Sequence, residues 1–515
     1  MRLPIALTAG LLIAGCSVDA KQETQAVAPS PLLERAELPE QAADPYYVSA
    51  FEAVTSRMAD GFQPEAKNVI IFVGDGMGIS TITAGRIYAG QKRGTDGESF
   101  KLAMEKLPNA ALSRTYSHDY QVADSASTAT AMVSGVKTRS RVLGVRSGIS
   151  VGNCASQEGQ GTDSLFELAE RKGLATGIVS TARITHATPA ATYAESASRD
   201  WEDDTSFADG GDDTCKDIAR QFIEWPEGDG FEVALGGGRR HFMTDETFDA
   251  EYNTKRGRRT DEKDLLAAWS AKSDDHTVIG TGEEFAATDF DSDIRVLGLF
   301  EPSHMQFELD READPGKEPA LADLTKAAIT RLSRDQDGYV LMIEGGRIDH
   351  AHHGGNAARA LGDTDAFDMA VAMAVEMTDA EDTLIIVTAD HSHTMTMAGS
   401  PRRNNPILGK VAYETGDIAK GGDGKPYTTL GYANGSGACK PGSDCIREDL
   451  SDVDTTDINY KQQATVFMQS ETHAGEDVAI FASGPGSELV RGVMDQNEIF
   501  HVMGYSSGLV AQAAE

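Results

Sequence analysis

The chain has 515 residues, of which 40% are hydrophobic, and 81 acidic against 46 basic side chains give it a formal net charge of −35. This length and apolar content predict a folded globular protein with one large α/β domain or two to three ordinary domains. The negative charge repels nucleic acids and anionic membrane surfaces, which argues against binding to either as a main function. An acidic protein that acts on anionic substrates needs local positive charge, and metal ions are the usual source of it.

The N-terminus has the pattern of an export signal. Arg2 precedes an apolar run that ends with small residues before Cys16, and this run is too short to span a bilayer. It resembles a bacterial lipoprotein signal, so we expect residues 1–15 to be cleaved and Cys16 to carry lipid. An ordinary cleaved signal peptide with an incidental Cys16 is the alternative. Residues 16–43 are rich in Ala, Pro, Gln and Glu and predict a flexible tether.

Export and lipid attachment together place the protein in the periplasm or on the outer membrane of a bacterium, held to a membrane only through Cys16. The four remaining cysteines are an even number, which suits an oxidising compartment. We expect Cys439 and Cys445 to close a small loop, which leaves Cys154 and Cys215 to pair with each other. A zinc site is the alternative, although the sequence contains no C-x-x-C pair.

Beyond residue 43, short β-branched runs alternate with helical stretches. Continuous apolar strands separated by helices predict a large, mostly parallel sheet between two helical layers, a three-layer αβα sandwich. The predicted strands are 69–73, 176–180, 233–235, 339–343, 384–388 and 478–481. We expect one α/β domain over residues 44–515, with a surface insertion at about 400–465, where Gly, Asn, Asp and Pro replace the apolar pattern.

Polar residues follow three of these strands directly. Asp75 comes after the first strand, Glu344 after the strand at 339–343, and Asp390 after the strand at 384–388. In open parallel sheets ligands bind beyond the carboxyl ends of the strands. The sequence therefore predicts a functional site at this edge of the sheet.

Ser125 starts a run of small residues that predicts a helix ending at Gly135. The N-terminus of a helix favours an anion, because its free amide groups and the helix dipole both point there. A serine at this position is first of all a capping residue. The motif alone therefore does not establish Ser125 as a nucleophile.

Aspartate and histidine recur after the later strands. They are Asp349, His350, His352, His353, Asp390, His391, His393 and His473. Imidazole nitrogen and carboxylate oxygen together suit zinc in tetrahedral sites with an open position. Their recurrence beside strand ends favours a metal centre over a purely structural role.

These motifs together resemble the alkaline phosphatase family, from about Asp44 to Tyr505. The matching segments are GDGMG at 74–78, DSA at 124–126, THATP at 185–189, EGGRIDH at 344–350, TADHSH at 388–393 and ETH at 471–473. The resemblance implies hydrolysis of small phosphate monoesters through a phosphoserine on Ser125. It also implies a homodimer and identifies the insertion as a crown-like surface element.

The resemblance assigns two zinc ions and one magnesium ion. The implied ligands are Asp349, His353 and His473 for the first zinc, Asp75, Asp390, His391 and Ser125 for the second, and Asp75, Thr188 and Glu344 for magnesium. Arg199 matches the arginine that clamps phosphate in the family, and such a guanidinium can bind two phosphate oxygens at once. A surface salt bridge is the alternative for Arg199.

Supporting residues around these ligands are Asp124, His186 and His350. The family divides at the last two positions, and histidine at both is typical of the animal enzymes and some bacterial ones. We therefore expect weaker magnesium retention and a more alkaline optimum than in members with Asp and Lys there. His352 and His393 match positions without a direct role.

Further segments resemble the animal branch, which also matches the pairing of Cys154 with Cys215. That branch binds a calcium ion, and the matching positions are Glu251, Phe300, Glu301 and Glu318. Surface carboxylates without any metal are the alternative.

Two other functions remain as hypotheses. A sulfatase or phosphodiesterase could share the fold, but the C/S-x-P-x-R pattern of sulfatases does not occur. A non-catalytic lipoprotein could capture phosphate or metal, and the complete set of a nucleophile and ligands argues against it.

Overall fold

Ten of the described strands form the central sheet of the computed structural model, which describes residues 30–59, 61–207, 215–440, 442 and 446–511. The strands, in chain order, are β1 (Asn68–Gly74), β2 (Asn109–Arg114), β3 (Ala175–Arg183), β4 (Val233–Gly237), β5 (His276–Ile279), β6 (Arg295–Leu299), β7 (Tyr339–Glu344), β8 (Thr383–Ala389), β9 (Ser392–His393), β10 (Met395–Met397), β11 (Leu430–Gly435), β12 (Ala464–Phe467), β13 (His473–Ala474), β14 (Val478–Ser483) and β15 (Gly492–Asp495). The order across the central sheet is β15-β2-β14-β8-β1-β7-β3-β4-β6-β5.

The sheet is mostly parallel, as the sequence predicted. β14 is the exception among these ten strands, because it runs antiparallel to both β2 and β8. All six predicted strands are present. The prediction missed β2, β5, β6 and β15. β2, β5 and β15 are short or have exposed positions and so lack a continuous apolar signal, whereas β6 is buried and apolar and was overlooked.

Helices cover both faces of the sheet. The helices are α1 (Pro45–Thr55), α2 (Ile79–Lys92), α3 (Ser125–Ser134), α4 (Leu165–Arg171), α5 (Ala187–Ala190), α6 (Ile218–Ile223), α7 (Leu265–Ser270), α8 (Gly282–Ala287), α9 (Leu321–Leu332), α10 (Arg347–His353), α11 (Ala357–Met377) and α12 (Glu498–Ser507). Short 3₁₀ helices span Pro31–Arg35, Met104–Lys106, Cys154–Gln157, Asp204–Ser206, Arg239–His241, Arg311–Ala313 and Ser487–Leu489. Within the described ranges, no helix is long and apolar enough to cross a bilayer.

Alternate residues of β1 pack into two separate cores, which confirms the three-layer sandwich. Val69 and Ile71 belong to the core that α3, α4 and α12 cover, whereas Ile70 and Phe72 belong to the core that α9 and α11 cover. Successive side chains of a strand point to opposite faces of the sheet. A strand that is apolar on both faces must therefore be buried between two layers.

A small three-stranded sheet, in the order β10-β11-β12, includes part of the predicted surface insertion, with β10 just before residue 400 and β12 reaching just past residue 465. Buried side chains of the insertion, among them Ile407 and Tyr432, pack against Ile87 of α2 and Leu361 of α11. This small core holds the insertion against the same side of the sandwich that carries α2 and α11.

The predicted tether is too long at its C-terminal end. Gln41 is buried and donates hydrogen bonds to the carbonyls of Ser134 and Asp163, at 2.8 and 2.9 Å. Glu37 forms a parallel bridge with Val510. Residues 30–43 therefore belong to the folded body, because their polar groups are satisfied there, whereas the predictions for residues 1–29, including Cys16, lie outside the described residues.

A disulfide joins Cys154 to Cys215, as predicted. It connects the 3₁₀ helix that begins at Cys154 to the segment just before α6. The second predicted disulfide involves Cys445, which lies outside the described residues, so that pairing stays a prediction.

Candidate active site and metal centre

Three neighbouring strands deliver carboxylates to one edge of the sheet. β1 lies between β8 and β7 and runs parallel to both. Asp75 follows β1, Glu344 ends β7, and Asp390 follows β8. All three side chains are fully buried. The strand ends therefore converge as the sequence predicted.

Ser125 is the first residue of α3, whose ten residues are all buried. The N-cap is Asp124, so Ser125 does not have the capping role that was its alternative interpretation. Its Oγ lies 3.3 Å from Nε2 of His391 and 3.5 Å from Oδ1 of Asp75. The hydroxyl thus lies at a helix N-terminus and beside groups of the metal-ligand type.

Asp349, His353 and His473 form the first of these groups. The Nε2 atoms of the two histidines are 3.2 Å apart and lie 3.3 and 3.4 Å from Oδ1 of Asp349. Nδ1 of His353 lies 2.5 Å from the carbonyl of Glu471, and Nδ1 of His473 lies 2.9 Å from the carbonyl of Ala123. These carbonyl contacts aim both Nε2 atoms at one point, as they do in protein metal sites.

His393 joins this group, although the sequence assigned it no direct role. Its Nε2 lies 2.6 Å from Oδ1 of Asp349 and its Nδ1 lies 2.5 Å from Oε2 of Glu471. Burial alone would lower the pKa of His393, but the two carboxylates outweigh it and raise the pKa to about 10. The ring therefore holds the carboxylate of Asp349 in position through a hydrogen bond. Glu471 lies in a matching motif, but its contact with His393 depends on the pairing of β9 with β13, which the sequence does not reveal.

His352 has a structural position. Its Nε2 lies 3.0 Å from the hydroxyl of Thr81 and its Nδ1 lies 2.8 Å from the hydroxyl of Tyr432. Both ring nitrogens are engaged, and the side chain is fully buried. His352 thus links α10 to α2 and to the surface insertion.

Asp75, Asp390 and His391 form the second group, and all three are 0% exposed. Nε2 of His391 lies 3.2 Å from Oδ2 of Asp390 and 3.5 Å from Oδ1 of Asp75. Both Oδ2 atoms and Nδ1 of His391 make no hydrogen bond with any described residue. Burial and the neighbouring carboxylate of Asp390 raise the pKa of Asp75 well above its usual range. Unpartnered buried carboxylates are costly, so this group fits bound cations.

Glu344 and Asp75 also face His186, and one ligand atom of each lies within 4.8 Å of the others. Burial raises the pKa of Glu344 to about 7, although the hydroxyls of Ser180 and Thr188 lower it. Carboxylate and hydroxyl oxygens suit a hard cation such as Mg²⁺. The donors at this third position therefore fit the predicted magnesium ligands.

Three histidine rings stand beside the third position. His186 and His350 have ring centroids 5.4 Å apart, and His304 lies 5.2 Å from the first and 4.0 Å from the second. Arg183 donates to Nε2 of His304. The sequence analysis missed His304, because an isolated histidine after Glu301-Pro302-Ser303 carries no spacing signal.

Arg199 lies beside the helix N-terminus rather than on the open surface. Its side chain is 15% exposed, and it donates to Oδ2 of Asp124 at 3.0 Å and to Nε2 of His186 at 3.2 Å. Burial lowers the pKa of Arg199, but the charge and hydrogen bond of Asp124, together with the charges of Asp75 and Asp349, outweigh burial and raise the pKa. The surface salt bridge considered for Arg199 is thus replaced by a largely buried ion pair next to Ser125.

A separate group, the acidic cluster, consists of Glu251, Glu301 and Asp314, whose ligand oxygens lie within 4.8 Å of one another. The predicted fourth member, Glu318, lies outside it, and one of its carboxylate oxygens accepts a backbone N–H instead. Phe300 is buried immediately before Glu301. Asp314, which was not predicted, therefore lies with Glu251 and Glu301. Glu318 is close by, because burial, with added repulsion from all three carboxylates, raises its pKa to about 9.

Comparisons with known proteins agree with this geometry. A family model described as alkaline phosphatase matches residues 66–509. The tissue-nonspecific alkaline phosphatase of Gallus gallus is 42% identical over 482 residues, which cover 91% of each chain. The corresponding isozyme of Homo sapiens is 40% identical over 481 residues, covering 91% of this chain and 90% of that protein.

Solved structures show the same fold. The alkaline phosphatase of Thermus thermophilus superposes with a TM-score of 0.63 at 25% identity, covering 89% of this chain and 94% of that one. A variant of the alkaline phosphatase from the Antarctic bacterium TAB5, with Mg bound in its M3 site, gives a TM-score of 0.59 at 26% identity, covering 86% of this chain and 98% of that one. The chain therefore belongs to the alkaline phosphatase family, whose members are metal-dependent phosphomonoesterases.

Proposed function

We propose that the protein hydrolyses phosphate monoesters through a phosphoserine formed on Ser125, with two zinc ions and one magnesium ion as cofactors. The observation that carries the proposal is the position of Ser125 Oγ, at the N-terminus of α3 and 3.3 Å from His391. Around it, buried oxygens of Asp75 and Asp390 make no hydrogen bond with the described residues. A reactive hydroxyl and an unsatisfied cation site thus share one pocket.

The donor chemistry supports the assignment of the ions. The proposed ligands are Asp349, His353 and His473 for one zinc, Asp75, Asp390, His391 and Ser125 for the other, and Asp75, Glu344 and Thr188 for magnesium. Nitrogen donors in the first two groups suit zinc, and the all-oxygen set suits magnesium. Bound there, the ions lower the pKa of the serine hydroxyl and neutralise charge on the attacking and leaving oxygens.

The protein residues then have separate tasks. Arg199 binds two oxygens of the phosphoryl group, and Asp124 fixes the plane of its guanidinium through the 3.0 Å contact. Ser125 Oγ attacks phosphorus in line, so the Oγ–P bond forms as the bond from phosphorus to the leaving oxygen breaks. The proton that the hydroxyl loses passes through solvent to the leaving alcohol. Water next attacks from the opposite side and breaks the Oγ–P bond, which returns a proton to Ser125 and releases phosphate. Positioning and charge neutralisation supply most of the rate.

Three further assignments accompany this function. The acidic cluster binds calcium through Glu251, Glu301, Asp314 and the carbonyl of Phe300. The enzyme forms a homodimer, and it is exported as a bacterial lipoprotein of the periplasm or outer membrane with its only membrane anchor at Cys16. To test the anchor, the full-length chain is expressed in bacteria that are fed labelled palmitate. We expect the wild type to incorporate the label and Cys16→Ala to lose it.

The decisive experiment traps the phosphoserine. The protein is supplied with zinc and magnesium, incubated with labelled inorganic phosphate at low pH and quenched, and the peptide that contains Ser125 is sequenced. We expect label on Ser125 and its absence in Ser125→Ala, which also loses turnover of p-nitrophenyl phosphate. Full turnover by Ser125→Ala would reject the mechanism, and phosphate binding without turnover by the wild type would favour a non-catalytic capture protein.

A further inference from the structure

Arg141 adopts a backbone conformation that an arginine rarely takes. Its φ is 73°, in the left-handed region that favours glycine because a side chain there crowds the backbone. Residues held in such strained conformations persist where the surroundings impose them, and they concentrate at functional sites. The chain therefore retains an arginine at a position where glycine would fit more easily.

The backbone around Arg141 is tied to the phosphate clamp. Its N–H donates to both oxygens of Asp124 at 3.1 Å, and the same carboxylate receives the 3.0 Å hydrogen bond of Arg199. The N–H of Arg199 in turn donates to the carbonyl of Arg141 at 2.8 Å. Leu143 and Ser196 form an antiparallel bridge that fixes the two segments side by side. Arg141 and Arg199 are thus held next to each other.

None of these backbone contacts needs a guanidinium, since a glycine would offer the same N–H and carbonyl. What the arginine adds is an exposed cation next to the segment that carries Arg199. Its side chain is 56% exposed and pairs with Asp200, which is 58% exposed and is the residue after Arg199. Ion pairs this exposed contribute little stability, so Arg141 can exchange Asp200 for another anion at small cost.

We propose that Arg141 is a specificity-determining residue that binds a second anionic group of the substrate while Arg199 holds the phosphoryl group to be transferred. The preferred substrates are then phosphate esters or anhydrides whose leaving group carries its own phosphate or carboxylate. Guanidinium binds both kinds of anion bidentately. The surrounding protein, with a net charge of −35, repels such substrates, and an exposed cation next to Arg199 offsets part of this repulsion.

The inference rests on the proposed function, and matched substrates test the two separately. ADP and AMP share a nucleoside but differ by one phosphate, and 3-phosphoglycerate differs from glycerol 3-phosphate by a carboxylate. The measured quantity is a ratio: kcat/KM for the substrate with the second anionic group (ADP or 3-phosphoglycerate) divided by kcat/KM for the substrate without it (AMP or glycerol 3-phosphate). Initial rates of phosphate release by the fully metallated protein at low salt give both values. The first pair reports a second phosphate and the second pair reports a carboxylate.

We expect Arg141→Gly to lower at least one of these ratios about tenfold, or ~1.4 kcal/mol, mainly through KM, since ground-state binding of the second anion is lost. Arg141→Lys should lower it less, because the charge remains. Asp200→Asn should raise it, because the competing carboxylate is gone. The control is Arg334→Gly, since Arg334 is also an exposed, ion-paired arginine but lies in the loop before β7, at the opposite edge of the sheet, and it should leave both ratios unchanged.

Unchanged ratios in Arg141→Gly would overturn the inference, as would an equal loss for both members of each pair, which would mean that Arg141 only shapes the clamp. Glycine suits a φ of 73°, so the variant should unfold at no lower temperature than the wild type. If it does unfold earlier, Arg141→Asn takes its place, because asparagine also tolerates this conformation. Absence of AMP turnover in the wild type would instead reject the proposed function.

Discussion

Two groups of carboxylates converge in this molecule, and the fold satisfies them differently. At the sheet edge, Asp75 and Asp390 are 0% exposed, and each has an oxygen that makes no hydrogen bond with the described residues. In the acidic cluster, Glu301 accepts a hydrogen bond of 2.7 Å from the hydroxyl of Tyr252, and Glu251 pairs with Arg239 at 3.0 Å. The carboxylates at the sheet edge therefore lack a cationic side chain as partner, whereas the acidic cluster already has the guanidinium of Arg239.

This difference separates a reaction centre from a stabilising site. Taking an unpaired carboxylate out of water costs several kcal/mol even after relaxation, so the sheet edge is complete only when cations bind. Arg239 offsets part of the charge of the acidic cluster, and a further cation there adds stability without touching Ser125. Changes at the sheet edge should therefore act on turnover, and changes at the cluster should act on unfolding.

Removal of the ions should have the largest effect. Several kcal/mol of transition-state stabilisation are lost with them, so we expect turnover of p-nitrophenyl phosphate to fall by roughly 10³-fold or more after chelation and dialysis. Zinc and magnesium together should restore it, and elemental analysis should give two zinc and one magnesium per chain. Calcium alone is the control and should restore stability but not turnover. Full activity of the chelated protein would contradict the assignment of the sheet edge.

An arginine from each region gives the second test. Arg199→Ala should lower kcat/KM by about 10²–10³-fold, because a charged donor to the transferring phosphoryl group is lost. Arg239→Ala should leave kcat/KM close to that of the wild type but lower the free energy of unfolding by about 3–5 kcal/mol, because Asp249 and Glu251 then stay buried without their partner. Steady-state kinetics and denaturant unfolding measure both. If Arg199→Ala lowered mainly stability and Arg239→Ala lowered mainly kcat/KM, the distinction between the two regions would be wrong.

The histidines beside the third cation position give a smaller effect. His186→Asp combined with His350→Lys should shift the activity optimum toward neutral pH and tighten magnesium retention by about tenfold, since a carboxylate replaces a neutral nitrogen donor near Glu344. The pH profile and the magnesium concentration for half-reactivation measure it. His276→Ala, which changes a half-buried histidine at the start of β5, is the control. If neither quantity moves in the double variant, His186 and His350 do not tune this position.

Much of the sheet edge was predictable because each residue follows a strand with a continuous apolar signal. Asp75, Glu344 and Asp390 are placed by the strand pattern alone, since parallel strands end at the same edge. The contact of His393 with Glu471 depends on the pairing of β9 with β13, two strands of two residues each, which are too short to leave a periodic signal. Local spacing therefore predicts what each strand carries but not which short segments pair.

The acidic cluster was harder to predict for a related reason. Asp314 lies in an irregular stretch after the 3₁₀ helix Arg311–Ala313, so no strand end fixes its position. The resemblance to the animal branch implies Glu318 instead, whereas the structure groups Asp314 with Glu251 and Glu301. Likewise, nothing in the sequence marks the left-handed conformation of Arg141, because an arginine is an unexpected residue for it. Loop geometry depends on tertiary contacts that sequence periodicity does not contain.

The smallest effect concerns the acidic cluster and depends on pH. Burial, with added repulsion from Glu251 and Asp314, raises the pKa of Glu301 from 4.5 to about 7. A carboxyl whose pKa is raised by folding contributes stability below its unfolded pKa and loses it as pH rises through the folded value. The acidic cluster of the calcium-free protein should therefore contribute less to the unfolding temperature at pH 8 than at pH 5.

Calcium should reverse that loss at pH 8, because a bound cation stabilises the ionised carboxylates. At 100 times its Kd a ligand contributes about 2.7 kcal/mol, and an unfolding entropy of roughly 1 kcal/mol per kelvin for a chain of this size converts this to about 3 °C. The shift should shrink at pH 5 and disappear in Asp314→Asn, whereas Glu312→Gln, an exposed neighbour, should retain it. Calorimetry of the protein with zinc and magnesium in place measures the midpoint. An equal calcium shift in Asp314→Asn would show that calcium binds outside the acidic cluster.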